Sequence, residues 1–328
     1  MGIAIAVHDL TKHYGDIIAV DSISFDVKQG EIFGFLRPNG AGKTTTLRLL
    51  TGQTRPTSGS ARVAGYNIVH EPIKAKEHVG VVPEVSSLYD EMSAWDNLIF
   101  AAELYGVPRD ERDKRAKELL ELFGLYARRM DHVGNFSRGM KRRLAIAAAL
   151  IHKPEILFLD EPTTGLDVQS MRMIRNLVKE LNANGTTIFL TTHYIEEADQ
   201  LCQRLGIINQ GKIAVVDNPE KLKASIEEKH IVEISFSQSN DVSDKLRGLK
   251  YVSDVSRLGD KFRLYVEDTS EAVPLLTDFA RNSGLKIISI NTLKPSLEDA
   301  FVKITGLSLE IMATEKEQVK KEKRESLG

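Results

Sequence analysis

The chain has 328 residues, with 44 Lys and Arg against 46 Asp and Glu and a net charge of -2, so it can bury two cores and lacks the basic excess of a general nucleic-acid binder. Its single cysteine, Cys202, excludes an intramolecular disulfide and a cysteine-cluster metal site and fits a reducing compartment, where it reads as a small buried hydrophobe. The amino terminus has no signal-peptide pattern and no apolar run approaches the ~20 residues that span a bilayer, so a cytoplasmic chain is expected, one that acts on a membrane only through a partner.

Residues 1–7 alternate like an edge strand, and Ile23, Phe25 and Val27 repeat that period, an antiparallel opening. Tyr14 precedes the turn at Gly15, where a ring either stacks on a purine or packs as an ordinary aromatic. The apolar run at 32–36 then feeds Arg37, Pro38, Asn39, Gly40, Ala41, Gly42, Lys43, Thr44 and Thr45, with a helix expected over 44–51. A buried strand, a small-residue loop and a helix N-terminus leave several backbone N–H groups aimed at one anion. Lys43 adds charge, Gly40 and Gly42 admit phosphate oxygens close to the backbone, and the Thr44 hydroxyl suits magnesium. The pattern G-x-x-x-x-G-K-[ST] expects Gly where Arg37 stands. The phosphate-holding amides belong to residues 40–45, so nucleoside triphosphate binding is expected to survive.

Strands follow at 61–64 and 78–82, the second ending at Pro83 and Glu84. From 87 to 150 the pattern is helical: Ser93 caps a run with Asp96 three residues on, and Leu98, Ala101, Ala102 and Tyr105 share a face. A second amphipathic run covers 109–123, with Leu119, Leu122 and Phe123 expected inward. Ser137 suits the N-cap of a helix to about 151 and, with Arg138, Gly139 and Met140, presents another helix N-terminus to an anion. The apolar strand 156–159 ends in Asp160 and Glu161, carboxylates at the edge where α/β sheets build sites. Asp160 is placed to hold magnesium through water and Glu161 to take a proton from an attacking water. Gly165, Leu166 and Asp167 lead into a helix to about 184, then a strand at 186–190 and Thr191, Thr192 and His193.

That succession of phosphate loop, glutamate turn, S-x-G helix, apolar-Asp-Glu, G-L-D and strand-end histidine resembles the ATP-binding cassette (ABC) family of transporter ATPases over about residues 5–223. The resemblance implies an α/β P-loop cassette with an antiparallel β subdomain, a parallel core and a helical insertion at about 87–151. Tyr14 then corresponds to the adenine-stacking aromatic, Glu84 to the loop meeting magnesium and the membrane subunit, and Ser137 and Gly139 to the signature. Asp160, Glu161, Asp167 and His193 correspond to the magnesium acid, catalytic base, dimer-interface aspartate and γ-phosphate switch. The implied assembly is a head-to-tail dimer with a second cassette, expected to be an identical chain, closing on ATP and Mg2+. A separate integral-membrane permease would hold it at the inner face of the membrane, and no nucleic-acid partner is expected.

Besides Arg37, two positions depart from the commonest pattern: Glu84 replaces a glutamine and Arg138 a signature glycine. That pair resembles exporter ATPases of the drug- and polyketide-resistance type, and Arg138 is expected to offset Glu84 in the closed dimer. The rival readings are a soluble cassette ATPase acting on nucleic acid or ribosomes, against which stand the lone cassette and the absent basic patch, and a non-hydrolysing regulatory module, for which only Arg37 speaks.

After Pro219 the motifs stop, and the first domain is expected to run over 1–223 and the second over 224–307. Val232, Ile234 and Phe236 alternate, 241–249 reads as helix, and Phe262, Leu264 and Val266 alternate after a turn at Gly259. A helix over 270–282, a strand over 285–290 and a last helix capped by Ser296 and Asp299 suggest a ferredoxin-like α+β unit. It resembles the carboxy-terminal extension of the same exporters, either regulatory or dimer-stabilising or a passive structural appendage; the tail at 308–328, rich in Glu, Lys, Gln and Arg from 313 on, reads as a solvated helix or disorder.

Overall fold

The alternating start of the chain forms β1 (Ile3–Tyr14) and β2 (Ile17–Lys28), an antiparallel pair with inward Ile5, Val7, Leu10, Ile23 and Val27. These come from a computed structural model that describes residues 2–36, 43–85, 87–225, 230–237, 241–293 and 296–306. The continuous apolar run becomes β3 (Ile32–Leu36), buried throughout, and α1 (Lys43–Leu50) follows it. Next come β4 (Ser58–Val63), β5 (Tyr66–Asn67), α2 (Pro72–Glu77) and β6 (Val79–Val82). The first sheet has the order β2-β1-β4-β5. β1 is therefore an interior strand and not the edge its alternation suggests, because β4 pairs along its other side.

The helical layer is α3 (Ala94–Leu104), α4 (Arg109–Leu122) and α5 (Arg138–Leu150). Ser93 caps α3 by accepting from Asp96 N, as its sequence suggests. In α4 the buried face is Ala116 and Leu120, with Phe123 at its end, whereas Leu122 is exposed, one step off the stripe.

The chain returns to the sheet with β7 (Ile156–Asp160), crosses by α6 (Val168–Ala183) to β8 (Thr187–Thr192), and continues through α7 (Ile195–Leu201), β9 (Arg204–Asn209) and β10 (Lys212–Asp217). The central sheet runs β10-β9-β3-β8-β7-β6, parallel except for β10. β3, β7 and β8 are buried on both faces, as their near-continuous Ile, Leu and Phe predict. Phe25 of β2 stacks on Phe33 of β3 with centroids 5.4 Å apart, joining the antiparallel sheet to the core.

A separate unit begins at Asn218. It contains α8 (Pro219–Ala224), β11 (His230–Phe236), α9 (Ser243–Arg247), β12 (Val252–Leu258), β13 (Lys261–Val266), α10 (Thr269–Asn282), β14 (Ile287–Leu293) and α11 (Leu297–Thr305). The antiparallel order β12-β13-β11-β14 is that of a ferredoxin-like βαββαβ unit. Ser296 and Asp299 form a reciprocal capping box at the start of α11. α8, assigned to the first domain by its sequence position, lies in this second unit and packs on α11. Among the described residues no helix is long and apolar enough to cross a membrane.

Candidate active site

Three of the buried strands deliver the candidate residues to one sheet edge. In parallel register Leu36 of β3 lies beside Thr192 of β8, and Asp160 of β7 beside Thr191. This carboxyl edge, where the chain turns from strand to helix, is where α/β folds collect unpaired backbone groups and place ligands. The phosphate loop expected at residues 37–42 lies outside the described residues, as do the side chains of Lys43 and Thr44; the backbone of Lys43, Thr44 and Thr45 opens α1.

Asp160 and Glu161 are both buried, and the Thr191 hydroxyl donates to Asp160 Oδ1. Directly after the strand, Glu161 turns the chain with φ of +50°, a left-handed conformation that costs a non-glycine residue energy and needs support from its surroundings. Its N–H supplies that support, donating to Thr191 O at 3.1 Å and Thr191 Oγ1 at 3.2 Å. The Thr164 hydroxyl donates to Glu161 Oε2 at 2.7 Å. His193 Nδ1 lies against the same oxygen, out of line for a hydrogen bond. The Glu161 carboxylate is thus oriented by a hydroxyl and flanked by an imidazole, the surroundings a general base needs.

The residues expected to form the signature make a second group. Ser137 caps α5 by accepting from Met140 N at 3.3 Å. A Cβ on Gly139 would lie 2.4 Å from Ser170 Oγ of α6, so the two helices approach closely there. Ser170 donates to Asp167 through its N–H at 2.8 Å and its hydroxyl at 2.7 Å, and these bonds lower the Asp167 pKa. Arg138 is exposed, its Nη1 3.8 Å from where a Cβ on Gly165 would stand. Tyr14 is exposed at the end of β1 with Lys12 Nζ 5.0 Å above its ring.

Glu84 is exposed, and within the chain Arg142 meets its segment. Arg142 is buried and donates to Pro83 O and Glu84 O, both at 2.7 Å. Sequence reasoning missed it, because one arginine in Lys141-Arg142-Arg143 carries no mark of facing inward. It also missed Glu197, fully buried on α7 behind Thr192 and Thr163, whose carboxyl pKa burial pushes up. Cys202 is buried too; burial raises its thiol pKa, and its sulfur would lie 2.5 Å from a Cβ on Gly34. Among the described residues no three His, Cys, Asp or Glu side chains are grouped to hold a metal alone.

Comparison with known proteins decides the family. Residues 20–164 match the ABC transporter family, and residues 218–305 match the ATP-binding protein DrrA1-3-like C-terminal domain. The linearmycin resistance ATP-binding protein LnrL of Bacillus subtilis is 40% identical over 304 residues, covering 92% of this chain and 98% of the relative. The chain belongs to the ABC transporter family. A second relative, the Nod factor export ATP-binding protein I of Cupriavidus metallidurans, is 37% identical over 92% of this chain and 96% of its own. Among solved cassettes, the dimeric structure of a post-hydrolysis state bound to ADP and Pi superposes with a TM-score of 0.59 at 26% identity, covering 65% of this chain and 98% of that one. The protein is therefore an ABC-type ATP-binding protein with ATPase character.

Proposed function

We propose that this chain is the ATP-hydrolysing subunit of an exporter, working as a pair of cassettes on a separate membrane permease. The observation that carries the catalytic part is Glu161, held in a left-handed turn beside Asp160 with Thr164 and His193 on its carboxylate. Glu161 takes the proton of the attacking water, Thr164 and Thr191 fix its orientation, and His193 sits beside the oxygen that receives the proton. Thr44, Asp160 and Glu84 are the hard oxygen donors proposed for magnesium, which takes few protein ligands and completes its shell with phosphate and water. When bound with the nucleotide, the ion supplies charge neutralisation at the transferred phosphoryl group. Lys43 and the residues Arg37 to Thr45 hold the phosphates, Tyr14 stacks on the base, and Ser137, Arg138, Gly139 and Met140 of one copy close on the nucleotide of the other, with Asp167 at that interface. The dimeric solved relative supports the pairing, and relatives named for linearmycin resistance and Nod factor export support an exported substrate, with the cassettes held at the inner membrane face.

The test is turnover and mass of Glu161→Gln against the unmodified chain. Loss of the base should cut ATP turnover by roughly 10²–10⁴ with ATP affinity kept. Light scattering should then show MgATP doubling the mass of the variant. Unchanged turnover in Glu161→Gln would overturn the catalytic assignment, and failure of any membrane protein to co-purify with the chain from membranes would remove the permease.

A further inference from the structure

The two neighbours of the Glu161 carboxylate are held in different ways. Thr164 is fixed by the hydrogen bond it donates to Glu161 Oε2 at 2.7 Å. The His193 imidazole lies against the same oxygen with its side chain only 12% exposed, yet its Nδ1 has no hydrogen-bond partner among the described residues. A hydrogen bond is directional and would set the plane of the ring; without one at that nitrogen, orientation falls to packing. The aromatic ring that His193 meets is that of the next residue, Tyr194, with centroids 4.1 Å apart and planes inclined by 39°.

Tyr194 can serve as a fixed wall because its backbone is tied on both sides. Its N–H donates to the Thr192 hydroxyl at 3.0 Å, and its carbonyl accepts from Glu197 N at 3.0 Å and Ala198 N at 3.2 Å, which opens α7. Thr192, Glu197 and Ala198 are all fully buried. The ring is therefore carried by the end of β8 and the first turn of α7, rigid elements and not a free loop. At its far end the phenol reaches Thr164. Burial raises the phenol pKa and the carboxylates of Glu161 and Glu197 raise it further, so the group stays a neutral hydroxyl. Thr164 gives its one hydroxyl proton to Glu161, which leaves its oxygen to accept from the tyrosine.

We propose that Tyr194 is a positioning residue for hydrolysis: its ring, carried on the rigid entry to α7, holds the His193 imidazole against the Glu161 carboxylate. The inference rests on the reading of Glu161 as the base, and it names what keeps His193 in place beside that base. A histidine that swings away leaves Glu161 without its flanking imidazole. The proposed contacts to nucleotide lie elsewhere, at Tyr14 and residues 37–45, so the loss falls on turnover and not on binding.

Steady-state turnover of the full chain tests the role. Tyr194→Leu, which removes the ring, should lower kcat about 10- to 100-fold, the scale of a misplaced catalytic group, and keep the KM for MgATP within about threefold. Tyr194→Phe, which keeps the ring and drops the hydroxyl, should recover kcat to within about threefold of the unmodified chain. A Phe variant as slow as the Leu variant would overturn the ring as the acting group. In a His193→Gln background Tyr194→Leu should lower kcat no more than about twofold further, because its effect passes through the histidine. A full additional loss there would overturn the positioning role. Should Tyr194→Leu not fold, the contact is read without it, by magnetic resonance of the full chain labelled at histidine and tyrosine. Nuclear Overhauser contacts should join the His193 imidazole to the Tyr194 ring, with the His193 signals identified by their loss in His193→Gln, and their absence would overturn the packing. Absence of ATP turnover in the unmodified chain would remove the ATPase reading, whereas turnover that is present and indifferent to Tyr194→Leu would remove only the role of the tyrosine.

Discussion

Gly139 is confined by its own chain before any second copy closes on it. A Cβ there would meet Ser170 Oγ at 2.4 Å and Ser170 Cβ at 2.9 Å, distances that require one helix to move. Ser170 cannot turn aside freely, because both its N–H and its hydroxyl are bonded to Asp167, the N-cap of α6. Gly139→Ala should therefore destabilise the chain by about 1–3 kcal/mol, the usual range for overpacking. Ser170→Gly, which removes both clashing atoms, should recover part of the loss in the double variant. Thermal unfolding of the two single variants and the double settles this: a Gly139→Ala protein that melts with the unmodified chain would show that α5 and α6 are not closely set. Asp160, Glu161 and His193 were legible in sequence because each stands at a fixed place relative to an apolar strand. Ser170, Thr164 and Arg142 were not, since what they do depends on which element the tertiary fold lays across them.

Where α3, α5 and β6 meet, His152 carries a pH dependence that belongs to all three elements. Its Nε2 bonds to Val79 O at 3.0 Å, which places the ring proton on that nitrogen, and its ring lies 3.9 Å from Tyr105 at an angle of 3°. Burial lowers the imidazole pKa, the bond to Val79 opposes that, and Arg115 adds to the lowering. The neutral ring is thus favoured in the folded state. The folded value lies below the unfolded one of about 6.5, so the stabilisation is fully present above that pH and is lost as pH falls through the folded value. The melting temperature should accordingly fall more steeply between about pH 7.5 and 5 in the unmodified chain than in His152→Gln. Parallel slopes would mean the ring charges without cost. The elements themselves were readable to different degrees. The long apolar runs of β3, β7 and β8 and the caps at Ser93, Ser137 and Ser296 announced themselves. β12, with the sequence Val-Ser-Asp-Val-Ser-Arg-Leu, has too little alternation to read as a strand and is held by its pairing with β13. α9 is a five-residue helix where nine were expected.

At the scale of the molecule, every residue proposed for nucleotide chemistry lies before Asn218, and each unit has its own buried cluster. In the second unit Val232, Ile234, Leu246, Phe262, Leu264 and Leu276 form a core without residues of the first. On β11, the Glu233 carboxylate is paired with Lys261 and Arg263, and the bond to Lys261 lowers its pKa first of all. A unit with its own core and satisfied charges folds as a unit. A fragment ending at Asp217 should therefore keep MgATP binding and turnover within about an order of magnitude of the full chain. The place of the cut matters for a definite reason. A fragment ending at 223 would carry α8 without the α11 it packs on, leaving the buried Leu222 to solvent. The shorter fragment should then be the more soluble and the more sharply melting of the two. If the fragment ending at 223 were the better behaved, α8 would belong to the nucleotide-binding unit after all, and the division at Asp217 would fall.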